Sequence, residues 1–400
     1  MSRRKTTDPY GHDPHDYNVG LVVSELERRF ILYLIGGDYE KMFYSLTGDE
    51  RQDEFGNTDQ SLGRIRLEVE ISESERRSKF RDSVTDPDYK GMLDLILSQR
   101  LKSFLVSGEE LVNSVPEIVD ILPFLRLSPK DNKIDEALCK EVCQVSWLVE
   151  QLKAFCANPK VQQAFGQPAE LSIKERLMSL DFPHLIWLIP ILMAQEIQGR
   201  IHPSLLETYK KIRFYGRVMG GAIGLLVQEH SHFGVAKWKL YALGALNCVA
   251  ITVLLCIVSD GVKELISQQK LNLKDREAHK DKFEVLDHYH FNQDFLRDIL
   301  QLEDIVKPSI LDSIQIAGLD PSEYISGYND ATHPECLVFQ QARAYAFYRQ
   351  LYRTGRIQKY EAGIFLRRYN LSKNQFNKLN RLELASLPNH IQIFADLLQS

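Results

Sequence analysis

The chain has 400 residues, of which 44% are hydrophobic and 26% charged, and its formal net charge at pH 7 is −5. That charge excludes a nucleic-acid-binding protein of globally basic type. Six cysteines with no Cys-x-x-Cys exclude a disulfide framework, so the thiols are expected to be reduced and mostly buried, as in a cytoplasmic protein.

The length favours two or three lobes over one core. Residues 1–19, rich in Asp, His, Pro and Gly, are expected to form a disordered tail, and they lack the apolar run of a signal peptide. A helix is expected over Leu21–Ile35, stopped by Gly36-Gly37. Thr47–Gly63 reads as a polar loop, and Ile65–Val106 as helices broken at Asp86-Pro87. This N-terminal helical region, 20–108, carries no assignable motif.

A second unit, 109–315, opens on Val115-Pro-Glu-Ile-Val-Asp-Ile-Leu-Pro. Apolar spacing over Ile134–Phe155 indicates a helix, ended by Asn158-Pro159. Ser172-Ile-Lys-Glu175 is a capping box, and Ser204-Leu-Leu-Glu207 repeats it at the start of a long helix through Val227. On that helix Gly216, Gly220 and Gly224 fall four apart beside Gly221, a pattern that lets a second helix approach closely. Phe182–Met193 reads as core. Leu240–Val258 is apolar and roughly long enough to span a bilayer. With Asn247, Thr252 and two Cys inside it, it reads as a buried core helix ended by Ser259-Asp-Gly261, without membrane insertion. Phe283–Ile314 is helical, with a boundary near Asp320-Pro321. A third helical region, 316–400, follows. Almost nothing reads as strand, so the expected class is an all-α multi-helix bundle.

Candidate chemistry is sparse. Asp287, His288, His290 and Asp294, and separately His230 and His232, are possible metal ligands. No His-x-x-Glu-His or His-Glu-x-x-His pattern organises them, so they read first as solvated or capping residues. No nucleophile elbow or Walker sequence occurs. Between Leu337 and Arg381 ten basic residues, among them Arg343, Arg349, Arg353, Arg367, Arg368 and Lys373, stand against Glu361 alone. Tyr345, Tyr348, Tyr352, Phe365, Tyr369 and Phe376 interleave with them. Such a pattern suits a polyanion, a nucleic acid or nucleotide; it equally suits an amphipathic helical pair with its rings in the core and its arginines in water. A turn at Tyr369-Asn370 followed by a helix from Ser372 is expected there.

Several motifs stand in a characteristic order between Glu110 and Ile314. They are the Pro-containing segment at Val115-Pro116 and Leu122-Pro123, the Ala157-Asn158 step, Leu171-Ser172-Ile173-Lys-Glu-Arg176-Leu177-Met-Ser-Leu180-Asp181, and Gly244-Ala-Leu-Asn247-Cys248-Val. Together they resemble the HDOD family, the HD-related output domain of bacterial signalling proteins. The family's usual Ala and Gly are replaced by Arg176 and Asp181, and its Asp-Pro turn is absent near Val145-Ser146. The resemblance covers about half of the chain. In HD-type phosphohydrolases a His opens H-x-x-R-V and a His-Asp pair follows on a later helix. Here those positions hold Phe214, in Phe214-Tyr-Gly-Arg217-Val218, and Asn247 and Cys248. The resemblance therefore implies a cytoplasmic regulatory protein in signal transduction, with no cofactor and no catalysis, that acts through a protein partner. A residual metallohydrolase using His288 and His290, and a nucleic-acid or nucleotide binder using the basic C-terminal region, are the alternatives.

Overall fold

The computed structural model describes residues 14–36, 86–104, 108–127, 133–165, 171–229, 233–325 and 333–399. The expectations for 1–13, Thr47–Gly63, 65–85, His230 and His232 lie outside the described residues. Within them the protein is all-α and has no strand. Two isolated bridges, Lys133 with Asp181 and Ile316 with Leu319, are the extended pairings present.

Helix α1 (Pro14–Ile35) begins inside the expected tail, which corrects that boundary. Proline suits a first turn, where its missing N–H costs no hydrogen bond. The helix stops as expected at Gly36, whose φ is 71°. Helix α2 (Pro87–Phe104) starts at the expected break, with the Asp86 carboxylate accepting from the Tyr89 N–H at 2.9 Å. Short helices α3 (Gly108–Asn113) and α4 (Pro116–Arg126) follow. The single helix expected over 134–155 is two, α5 (Glu136–Val142) and α6 (Ser146–Cys156). Val142 and Leu148 are both buried, yet their spacing falls short of two helical turns. The turn at 143–145 re-phases the chain so that both apolar faces reach the core.

After α7 (Pro159–Phe165), α8 (Ile173–Met178) opens on Ser172 and Glu175 with both halves of the capping box formed. Helix α9 (Phe182–Glu196) is buried almost throughout. The second expected capping box does not form. The His202 ring accepts from the Ser204 N–H and bonds the Ser204 hydroxyl, so a 3-10 turn at Pro203–Leu205 precedes α10 (Leu206–Leu226). The apolar run expected as one helix is broken at 246–248 into α11 (Lys237–Ala245) and α12 (Val249–Leu273). Helix α12 continues through Ser259-Asp260-Gly261, where the Ser259 hydroxyl donates back to the Leu255 carbonyl at 2.6 Å. That bond satisfies the hydroxyl inside the helix. The most apolar stretch of Lys237–Leu273 is 83% buried beneath the protein's own helices.

Helices α13 (Lys280–Asp287), α14 (Gln293–Asp312), α15 (Pro321–Ile325) and α16 (Pro334–Arg353) lead to the C-terminal region. Helix α17 (Lys359–Arg368) ends at the expected turn, where Asn370 takes φ 56°. Ser372 and Gln375 then form a capping box that opens α18 (Lys373–Asn380), and α19 (Leu387–Gln399) closes the chain.

One contiguous hydrophobic core runs from Val22 to Leu397, so the three expected spans share a core and are not lobes with cores of their own. Helix α10 is its hub, packing against α1, α11, α16, α18 and α19. The first helix is joined to the C-terminal region by Arg29. Its guanidinium donates to Glu25 and to Glu361, each at 2.9 Å, and the Arg29 and Glu361 side chains are completely buried. Burial opposes ionisation of Glu25, but hydrogen bonds from Arg28 and Arg29 prevail and hold its carboxyl below the ordinary value.

Candidate functional site

Glycine sets the approach of α10 and α11. A Cβ at Gly216 would stand 2.9 Å from Cys248 Sγ, and one at Gly224 would stand 2.9 Å from the Tyr241 ring. Between them, a Cβ at Gly244 would stand 3.2 Å from Gly220 Cα. As the residue number rises on α10 it falls across the contact, so the two segments run antiparallel. Gly221, one residue round, faces Leu384 and the His390 ring. The expectation of a close helix approach is therefore met, and a larger residue at Gly216, Gly224 or Gly244 would force its neighbours to shift.

Beside this contact lies a cleft walled by α9, α10, α11, the start of α12, and α19. Its cavity measures about 60 Å³, well below the roughly 300–1,000 Å³ common for drug-sized ligands, so it suits only a small molecule. Its inner end is aromatic. Trp187, Tyr241 and His390 lie nearly parallel in pairs, with centroids 5.9 to 6.1 Å apart. The Leu384 carbonyl can only accept, so the contact of 2.6 Å to His390 Nε2 assigns the proton to that nitrogen. Nδ1 is then an acceptor, and the Tyr241 hydroxyl donates to it. Burial, reinforced by the Arg217 charge, pushes the His390 pKa down to about 4, so the ring is neutral at pH 7. Burial also raises Tyr241 well above its ordinary value.

Two arginines one helical turn apart on α10 line the same cleft. Arg213 donates to the Gln198 side-chain oxygen and lies over the Tyr209 ring. Arg217 Nε is shut off from water and has no hydrogen-bond partner. Neither guanidinium is paired with a carboxylate among the described residues, and no Asp or Glu lines the cleft. Burial lowers the pKa of both, and Arg213 lowers that of Arg217 further.

The three positions singled out as replaced metal ligands do not share one environment. Cys248 lines the cleft, its thiol facing the Ile212 carbonyl at 3.7 Å. Burial, with the Glu303 charge behind it, pushes that thiol up to about 12, so it is not a ready nucleophile. Asn247 is buried in the turn before α12. Phe214 lies on another side of α10, beneath the Arg353 guanidinium at 4.3 Å.

The remaining histidines and acids do not converge. Asp287 already holds Lys270 at 2.5 Å and Arg276 at 2.8 Å, and the Lys270 hydrogen bond keeps its carboxyl below the ordinary value. Along 288–291 the side chains alternate: Tyr289 and Phe291 turn inward, His288 and His290 outward. Asp94 fixes this phase by accepting from Tyr289 at 2.5 Å and from Asn292 at 2.9 Å. Asp294 is exposed and pairs with Arg297. Among the described residues no group of three His, Cys, Asp or Glu stands close enough to hold a metal ion.

The basic C-terminal region separates into two layers. Tyr345, Phe347, Tyr348, Phe365 and Phe376 are buried in the core. Arg343, Arg367, Arg368 and Lys373 are exposed, whereas Arg349 and Arg353 are half-buried. Arg343 and Arg368 both act on the Tyr369 hydroxyl, but Arg353 is turned away onto Phe214, 4.0 Å from Glu383. Glu361, the one acid of the region, is committed to Arg29.

The sequence reading passed over Arg213 as a cleft residue, and it passed over His390 altogether. Arg213-x-x-Gly216-Arg217-x-x-Gly220 did carry a signal: arginines beside a glycine stripe, with no acid one turn away. Nothing local marks His390, which reaches the cleft only because α19 folds back on α10. No family model, curated protein or solved structure matches the chain.

Proposed function

We propose that the protein is a non-catalytic regulatory module of HDOD-like kind, which acts in the bacterial cytoplasm by binding and passes its state to a protein partner. The observation that carries this reading is the chemistry of the cleft. General acid–base work at neutral pH needs a group that titrates near 7. Here His390 titrates near 4, Cys248 near 12 and Tyr241 far above its ordinary value, and no carboxylate lines the walls. A hard divalent ion would also need His and carboxylate ligands converging on one point. Phe214, on another side of α10, does not meet Asn247 and Cys248 at one point, and the three supply a ring, an amide and a protonated thiol.

The test is turnover by purified, tag-free protein. Bis(p-nitrophenyl) phosphate, nucleoside triphosphates and cyclic dinucleotides are incubated with Mn²⁺ or Mg²⁺. The expected result is no hydrolysis above the metal-only control. Hydrolysis that co-elutes with the protein and disappears in Arg217→Gln would overturn the proposal.

A further inference from the structure

We propose that the cleft binds a small organic anion, with a carboxylate or phosphate head held between Arg213 and Arg217 and an apolar body received by Pro190, Met193 and Val249. The inference rests on the reading of this cleft as a binding site and adds the class of ligand.

Charge is the first argument. Two guanidiniums one turn apart on the same helix repel each other, and both are half-buried without an acid among the described residues. Burying charge without a counter-charge is costly. An anion between the two guanidiniums offsets that cost. Guanidinium forks match the planar oxygens of a carboxylate and the tripod of a phosphate, and such charge-assisted hydrogen bonds are among the strong ones.

Shape and wall chemistry are the second. Beyond the arginines the lining is almost wholly apolar, through Pro190, Met193, Ala245 and Val249. A bare inorganic ion would leave that wall unfilled, so the ligand carries a hydrophobic body. The polar groups at the inner end are already spent. The His390 proton goes to Leu384 and its lone pair to Tyr241. Recognition of the head therefore falls to the two arginines, and discrimination among bodies falls to fit.

Isothermal titration of the full chain with phenylacetate, phenyl phosphate and neutral phenylacetamide tests this. At least one anion is expected to bind tenfold or more tightly than the amide, and the stronger of the two identifies the head. Arg217→Gln is expected to remove most of that advantage while leaving the circular dichroism spectrum unchanged. The wild-type comparison stands even if the variant fails to fold. Equal binding of anion and amide, no binding of any probe, or anion affinity untouched in folded Arg217→Gln would each overturn the site. Release of phenol from bound phenyl phosphate would support the anion site and overturn the non-catalytic reading, so the two proposals fail separately.

Discussion

The C-terminal region and the cleft on α10 both bring arginines and aromatic rings together, with opposite consequences. In the C-terminal region the helical period sorts them: Tyr345, Tyr348 and Phe376 go inward, and Arg343, Arg367 and Arg368 go outward. Rings and cations are then on different sides of the backbone. Around α10 the sorting is incomplete. Glycines bring α11 so close that Arg213 and Arg217 look into a cleft that ends on Trp187, Tyr241 and His390. The same residue types make an ordinary amphipathic surface in one region and a concave, positively charged, apolar-walled site in the other. What distinguishes a site is a cation that the fold keeps from water and leaves without an acid.

That comparison can be broken most sharply at Glu361. In the C-terminal region the charge that matters for stability is the buried one. Glu361→Ala removes one of the two carboxylates that the completely buried Arg29 pairs with, leaving Glu25, and should cost about 3–5 kcal/mol in urea unfolding. Replacing exposed Arg367 and Arg368 on the same helix by Ala should stay within about 0.5 kcal/mol. Equal costs would refute the division into layers. A smaller effect is expected at the glycine contact. The new side chain of Gly244→Val would meet Gly220 Cα, which is backbone and cannot turn aside. Over-packing of this kind costs about 1–3 kcal/mol, and the altered helix spacing should weaken anion binding in the same variant. An unchanged melting temperature with unchanged binding would show that the contact does not shape the cleft.

The third prediction sharpens the electrostatic side and concerns pH. His390 titrates near 4 in the folded protein and about 6.5 when unfolded. Above pH 6.5 the ring is neutral in both states and contributes nothing. Between 6.5 and 4 the unfolded chain takes up a proton that the folded protein refuses, so stability falls by up to about 1.4 kcal/mol per pH unit. Burial pushes His202 down to about 4 as well, and lowers His184, so the wild-type slope is a sum. In His390→Gln the proton uptake on unfolding near pH 5, measured from the pH dependence of stability, should drop by about one. No change would mean that the ring is protonated in the fold and that the Tyr241 bond is drawn the wrong way round.

The sequence by itself determined the helical class and many of the punctuation marks. Gly36, Asp86-Pro87, Ser172 with Glu175, and Asn370 with Ser372 act within one or two turns of chain, and the structure honours each. The glycine stripe was legible for the same reason, because four-residue spacing on a helix fixes one face. Tertiary structure decided the rest. His202 displaced the expected cap at Ser204, the apolar run broke at 246–248, and the helix over 134–155 broke at 143–145. The expected lobes merged because α1 and α16 pack on α10 and share its core. The cleft belongs to this second class. Its walls come from α9, α10, α11, α12 and α19, and whether a guanidinium there meets water, an acid or an empty pocket depends on separate helices, of which α19, with His390, lies more than a hundred residues away. Local periodicity says which face a side chain shares; only the packed neighbours set its dielectric surroundings and its partners.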